Sequence, residues 1–189
     1  MRIIGGRLRG RLLIEPTPQI KKFLRPMREA VRAALFDILG DSVTDARFLD
    51  LFAGTGSIGI EALSRGARSC VFVDSSERAC QIIRENLKNL GLERCASVYR
   101  LDALKAIELF ARQGEKFDLV FLGPPYGQEL AHKTLAQLAA HPLCSPGALV
   151  VTEIFKKEKV QTEYGDLKSF AVRTYGDNSL WFYRWEVLQ

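Results

Sequence analysis

Long hydrophobic runs are missing. No stretch of the chain approaches the ~18–20 consecutive apolar residues a membrane-spanning helix needs. The first residues are basic but lack the apolar segment of a signal peptide. Histidine is scarce, with only His132 and His141 in 189 residues. Neither has a second His, Cys or acid at metal-ligand spacing, so exposed or helix-capping roles are expected and no metal is. Cysteine is limited to Cys70, Cys80, Cys95 and Cys144, and no two stand two to four residues apart. That spacing argues against a zinc knuckle or a thioredoxin-type pair. Cys70 and Cys80 read as small buried hydrophobes, and a reduced cytoplasmic setting is expected.

What is present suits an ordinary globular protein: 47% hydrophobic and 26% charged residues, enough chain for one cored domain. The net charge of +5 is unevenly spread. Residues 1–33 carry nine Lys/Arg against Glu15 and Glu29, giving +7 and leaving −2 for the other 156 residues. A basic arm on a near-neutral body is the footprint of a polyanion contact, with a solvated tail as the plainer alternative.

Residues 2–4 and 11–14 read as two short strands about a Gly/Arg-rich turn, ended by Glu15-Pro16-Thr17-Pro18. A helix is predicted from near Pro26, with Val31, Ala34, Leu35, Ile38 and Leu39 on its apolar face and Gly40 at its end. The expected single domain, 1–189, thus has a basic arm (1–24), a leading helix (25–46) and a core (47–189). In the core, strands are predicted over 48–52, 70–73, 97–101, 117–122 and 148–154, with helices over 57–64, 77–90, 103–111 and 128–140. This alternation implies right-handed βαβ units and a parallel sheet covered on both faces. Segments 169–174 and 180–187, around Tyr175-Gly176-Asp177-Asn178, read as a closing hairpin. Alternation in the aromatic strand suggests that some of Trp181, Phe182, Tyr183 and Trp185 are core, with core packing favoured over nucleic-acid stacking. The fold class is α/β, doubly wound, with an antiparallel edge.

The sharpest local signal is Asp50-Leu51-Phe52-Ala53-Gly54-Thr55-Gly56-Ser57-Ile58-Gly59. Gly54, Gly56 and Gly59 form G-x-G-x-x-G between a strand and a helix, where the motif means a tight turn open to a ligand's approach. Asp74, twenty residues after Gly54, could accept both hydroxyls of a ribose. NAD and S-adenosylmethionine both satisfy those facts. Three details lean away from the dinucleotide: Asp50 is an awkward neighbour for a pyrophosphate but suits an α-ammonium group. Asp102 could accept from an adenine amine, or cap the helix starting at Ala103. Gly123-Pro124-Pro125-Tyr126 ends the fourth strand and has no task in hydride transfer.

The run 50–67, Asp-Leu-Phe-Ala-Gly-Thr-Gly-Ser-Ile-Gly-Ile-Glu-Ala-Leu-Ser-Arg-Gly-Ala, resembles the cofactor motif of the RsmD-like methylases. These bacterial enzymes methylate the N2 amine of a guanine in 16S ribosomal RNA. Residues 1–11 resemble that family's N-terminal hairpin. Leu24-Arg25-Pro26 with Val31-Arg32 and Leu35-Phe36 resembles its helix entry. Residues 117–122 with Pro124-Pro125-Tyr126 resemble its catalytic strand, and 173–177 its C-terminal hairpin. The resemblance implies a Rossmann-like methyltransferase fold, with a mostly parallel seven-stranded sheet and a C-terminal hairpin. It also implies S-adenosyl-L-methionine as cofactor and the small ribosomal subunit or its assembly intermediate as partner.

By the same resemblance, Asp50, Ala53, Gly54, Thr55 and Gly56 face the methionine part of the cofactor. Asp74 with Ser75 holds the ribose, and Asp102 with Ala103 the adenine. Gly123, Pro124, Pro125 and Tyr126 form the catalytic turn, with Tyr126 stacked on the extruded base. Arg7, Arg9, Arg11, Arg25 and Arg28 meet RNA phosphates. Two positions depart from the family pattern. Met27 stands where Thr follows Arg-Pro, and Gly123 stands where the family's Asp-Pro-Pro-Tyr has its acid. A lost charge-assisted hydrogen bond costs about 1.5–3 kcal/mol, roughly 10- to 150-fold in rate. Reduced turnover, an acid supplied from elsewhere such as Glu153, or an inactivating change each follow from Gly123. The alternatives are therefore an RNA- and cofactor-binding homologue without turnover, or a methylase of another amine, such as adenine in DNA. A nicotinamide oxidoreductase ranks last.

Overall fold

Apolar runs closed by glycine turns become the strands and helices that the alternation leads one to expect, in a computed structural model that describes residues 1–16, 27–127 and 129–186. They fall into two compact units, Met1–Asp102 and Ala103–Gln189. In the first unit, helix α1 (Glu29–Leu39) buries Val31, Leu35, Phe36 and Leu39 and stops at Gly40, whose φ of 49° an L side chain rarely adopts. Then follow β1 (Arg47–Leu51), α2 (Ser57–Ser64), β2 (Ser69–Asp74), α3 (Glu77–Leu90) and β3 (Ala96–Arg100). The three strands are parallel in the order β3-β2-β1. Their register aligns Leu51 with Val73 and Asp74 with Arg100, so the three carboxyl ends finish side by side. In open parallel sheets ligands bind beyond those ends.

Helix α2 is the short, fully covered element that connects β1 to β2: all eight of its residues are buried. Gly59 explains how closely it lies. A Cβ there would collide with the Phe72 ring and stand 2.5 Å from Cys70 Sγ on β2. Helix α3 has both expected ends, a Ser76 hydroxyl accepting from the Ala79 N–H and a left-handed Gly91.

The second unit holds α4 (Ala103–Arg112), β4 (Phe117–Leu122), α5 (Leu130–Ala140), β5 (Cys144–Phe155), β6 (Glu163–Tyr164), β7 (Leu167–Tyr175) and β8 (Asn178–Trp185). Its strand order is β4-β5-β8-β7-β6, with β4 and β5 parallel and the rest antiparallel. Phe182, Tyr183 and Trp185 are buried, as core packing requires, and Tyr183 donates to the Gln161 carbonyl. Cys70, Cys80 and Cys144 are buried free thiols, and burial pushes Cys144 up to about 12. Among the described residues no helix is long and apolar enough to cross a membrane.

The structure corrects several expectations. The described residues form eight strands, not seven, because Glu163–Tyr164 adds a two-residue edge beside β7. The N-terminal hairpin is short: its arms meet at one antiparallel bridge, Arg2 to Leu12, around a 3-10 turn at Gly6–Leu8. The N–H groups of Ile3, Gly10 and Leu13 donate across it to the carbonyls of Arg11, Ile3 and Met1, while those of Ile4, Leu8 and Ile14 bond to side chains of α2 and α3. The leading helix starts at Glu29 rather than near Pro26, which lies outside the described residues. Strand β5 begins at Cys144 and runs through Pro146-Gly147, with its register against β4 shifting between Phe117 and Leu119. A proline is tolerated at such an irregularity because it has no ladder N–H to contribute there. Gly59→Val is predicted to destabilise the protein by about 1–3 kcal/mol, as overpacking does; thermal denaturation should show a lowered midpoint.

Candidate functional site

Site residues of the first unit gather at the strand ends. The chain leaves β1 through Phe52, a non-glycine residue at φ 64°, then Gly54 at 56° and Gly56 at 77°. Left-handed backbone at Phe52 costs of order 1–3 kcal/mol and persists only where its surroundings impose it. Gly56 has no room for a side chain either, since a Cβ would stand 3.0 Å from Ile83 Cγ1. Two carboxyl groups tie the turn down. Asp50 Oδ2 accepts from the Gly59 N–H at 3.0 Å, and Asp74 Oδ2 accepts from the Gly54 N–H at 2.8 Å. The other Asp74 oxygen accepts from the Ser76 N–H at 2.8 Å, and the Gly56 N–H donates to the Ala53 carbonyl.

Asp50 is buried, and burial raises its carboxyl to about 7; the Gly59 N–H opposes that and the Asp74 charge adds to it. Asp74 is half-buried, Ser75 exposed, and Asp102 exposed directly before Ala103, the first residue of α4. Ala53, Thr55 and Gly56 are buried and Gly54 half-buried. Residues 50–56, 74–75 and 102 thus lie along one edge, as three parallel strands in register require. A carboxylate oxygen has two acceptor positions, so Asp74 held by two backbone amides still has capacity for hydroxyl donors.

Sequence reasoning missed what fastens the basic arm. Glu61, on α2, is 1% exposed and accepts from the Ile4 N–H at 3.0 Å and from Arg65 Nε at 2.9 Å. It also faces Arg32 Nε at 3.6 Å. Ser64 donates to the Gly5 carbonyl and accepts from the Leu8 N–H, and Asn86 on α3 accepts from the Ile14 N–H at 2.7 Å. A Cβ on Gly6 would overlap the Ser64 carbonyl, so only glycine lets the arm lie this close. Residues 1–16 are therefore a docked segment rather than a solvated tail. Arg7, Arg9, Arg11 and Arg28 are exposed; Arg25 lies outside the described residues. Arg32, one of the nine cations of residues 1–33, is a correction: it is buried, burial pulls its guanidinium down, and Glu61 holds it as a partner. The i,i+4 spacing of Glu61 and Arg65 is the one sequence signal that hinted at this cluster.

In the second unit, β4 delivers Gly123-Pro124-Pro125-Tyr126. Pro124 is buried, Gly123 and Tyr126 half-buried and Pro125 exposed. The turn is clamped by Glu158, whose two oxygens accept from the N–H groups of Gly127 and Phe155. The Tyr126 ring lies 6.1 Å from that of Phe155 at the end of β5. Met27 is buried. His132 and His141 are structural. The Tyr164 hydroxyl lies 2.8 Å from His132 Nδ1 and accepts from the Gln161 N–H. His141 Nδ1 meets the Gln137 carbonyl at the end of α5.

The chain matches the family model described as conserved hypothetical protein 95 over residues 1–184. It is 34% identical over 184 residues to the putative rRNA methyltransferase YlbH of Bacillus subtilis (strain 168), covering 97% of this chain and 98% of that protein. It is 35% identical over 153 residues to ribosomal RNA small subunit methyltransferase D of Escherichia coli (strain K12), covering 81% and 74%. The solved structure of the putative methyltransferase yhhF from Escherichia coli aligns with a TM-score of 0.86 at 30% identity, over 98% of both chains.

The Asp50 carboxyl gives a pH prediction. The folded chain holds this proton to about pH 7, whereas the unfolded chain releases it near 3.8. Between those values the unfolded state binds fewer protons, so rising pH lowers stability through that window and has no further effect above it. Relative to Asp50→Asn, the wild-type thermal midpoint should fall from pH 4 to 7 and run parallel above pH 8. Parallel curves throughout would show the carboxyl to be ionised in the fold.

Proposed function

The chain belongs to the conserved hypothetical protein 95 family, the RsmD-like methyltransferases, and on that premise we propose its reaction. It moves a methyl group from S-adenosyl-L-methionine to the N2 amine of a guanine in 16S rRNA of the small ribosomal subunit. Residues 1–189 serve as one methyltransferase domain acting in the cytoplasm.

The observation that carries this reading is the use of the glycine turn's amides. A dinucleotide needs them for its pyrophosphate, yet those of Gly54 and Gly59 are taken by Asp74 and Asp50, and that of Gly56 by a carbonyl. Two carboxyl groups at the turn repel a pyrophosphate and suit a ligand with an ammonium and a diol. Asp50 answers the α-ammonium, and Ala53, Gly54, Thr55 and Gly56 line the methionine part. Asp74 and Ser75 take the ribose hydroxyls, and Asp102 and Ala103 the adenine. When bound, the cofactor supplies an electrophilic methyl on a sulfonium.

A guanine amine is a poor nucleophile because its lone pair is delocalised into the ring. Acceptors that hold its N–H bonds turn the lone pair outward and offset the positive charge growing on nitrogen. The Pro124 carbonyl is one acceptor, and the Tyr126 face holds the extruded base by stacking worth about 1–3 kcal/mol. Arg7, Arg9, Arg11, Arg25 and Arg28 engage phosphates. A second reading, binding without turnover, is favoured by Gly123 alone.

Labelled methyl from S-adenosylmethionine should enter the rRNA of purified small-subunit particles. Replacing Arg7, Arg9 and Arg11 together by Gln should raise KM for the particles and flatten its salt dependence by about 0.7–0.9 for each phosphate no longer neutralised. Affinity for S-adenosylhomocysteine, read by calorimetry, should hold. Tight particle binding with no labelled RNA would support the second reading, and labelled RNA would reject it.

A further inference from the structure

Gly123 leaves the turn after β4 without a carboxylate, and the neighbouring strand carries one on the same face of the sheet. The parallel register of β4 and β5 pairs Phe121 with Val151 and Leu122 with Thr152, so the next residues along the two strands are Gly123 and Glu153. Adjacent strands lie about 4.8 Å apart. Direction matters as much as distance. A Cβ built on Gly123 would point to the Phe121 ring, 3.1 Å from its Cε1. A side chain at 123 thus belongs to the face of Phe121 and of its partner Val151. Side chains alternate along a strand, so that face of β5 carries Val151, Glu153 and Phe155. Phe155 in turn meets Tyr126 at 6.1 Å, and Glu158 ties the Phe155 and Gly127 amides together. The missing acid's position, the Pro-Pro-Tyr turn and Glu153 therefore share one face at one end of the second unit's strands.

Glu153 is also built to stay. It is 8% exposed, and its Oε1 accepts from Asn178 Nδ2 at 2.7 Å. Asn178 opens β8, two pairs beyond Glu153–Leu180, and itself pairs with Phe155. The amide donor helps fix the carboxylate's orientation, and a carboxylate's two oxygens together offer about four acceptor positions. A buried, oriented carboxylate is what an acceptor for a developing cation requires.

We propose that Glu153 is the side-chain acceptor of the substrate amine in this chain, in the place that the family's acid fills from position 123. The inference rests on the amine-methylation reading above. In the step it serves, the amine's lone pair forms the new N–C bond. The C–S bond of the methyl sulfonium breaks with its electron pair left on sulfur. The surplus proton of the methylated amine passes to water, and the carboxylate accepts a hydrogen bond from the amine throughout.

The test compares wild type, Glu153→Gln, Gly123→Asp and the double variant on small-subunit particles. Backbone conformation admits the aspartate, since Gly123 is not left-handed and only the Phe121 ring must give way. Glu153→Gln should lower kcat about tenfold or more, because a neutral acceptor replaces a charged one. Its KM for particles, thermal midpoint and calorimetric affinity for S-adenosylhomocysteine should match wild type. Adding Gly123→Asp to Glu153→Gln should restore most of kcat, a rescue that a merely structural glutamate would not show. Wild-type kcat in Glu153→Gln, or a loss that Gly123→Asp leaves unrepaired, overturns the assignment. Absence of methyl transfer by both wild type and Gly123→Asp would instead bring down the amine-methylation reading.

Discussion

Helix α2 is held against β2 at a separation that only glycine permits at position 59, and both of its ends are put to use. Its N-terminus receives the left-handed turn from β1, with the Asp50 carboxyl bonded to the Gly59 amide inside the first turn. Its C-terminal half carries Glu61 and Ser64, to which the arm's backbone is fastened. Because the helix has no exposed residue, it cannot tilt or fray at one end without disturbing the other. The proposed cofactor cradle and the proposed phosphate-binding arm are thereby fixed to one rigid element.

Charge is used differently at the two ends. At the proposed cradle, burial leaves Asp50 with a carboxyl raised to about 7, a cost that an arriving ammonium group would offset. At the arm, Glu61 is equally buried but faces Arg32 and Arg65, and it also accepts a backbone amide. Breaking such a set leaves a buried charge without its partner, which is why buried ion pairs lock geometry more reliably than they add stability. The exposed Arg7, Arg9 and Arg11 stand on a backbone already ordered by these contacts, so the proposed phosphate binding would cost little further ordering of the chain.

Most of the fold was legible because it rests on periodicity. Apolar strands of five or six residues, helices with one apolar face and glycine turns leave marks that a single sequence shows, and Gly54, Asp74 and Asp102 fell at strand ends as expected. The docked arm was not legible. It depends on pairs such as Ile14 with Asn86, 72 residues apart, whose polar side chains look like surface residues in the sequence. Arg32 misled for the same reason, since a buried arginine and an exposed one are the same letter. Strand β5 passing through Pro146-Gly147 defeated a rule that holds for regular ladders but not for shifted registers. Pro124 and Tyr126 were visible as a motif. The alignment of Gly123 with Glu153 needed the register between two strands, and the Asn178 hold on Glu153 needed the third.

Under the proposed function, this chain methylates an exocyclic guanine amine in small-subunit RNA. Digestion of the RNA from particles incubated with the protein and S-adenosylmethionine, followed by mass spectrometry of the nucleosides, reads that claim directly. The expected result is N2-methylguanosine as the one nucleoside that gains the methyl group. Methyl recovered on adenine, or only in the particle's proteins, would contradict it.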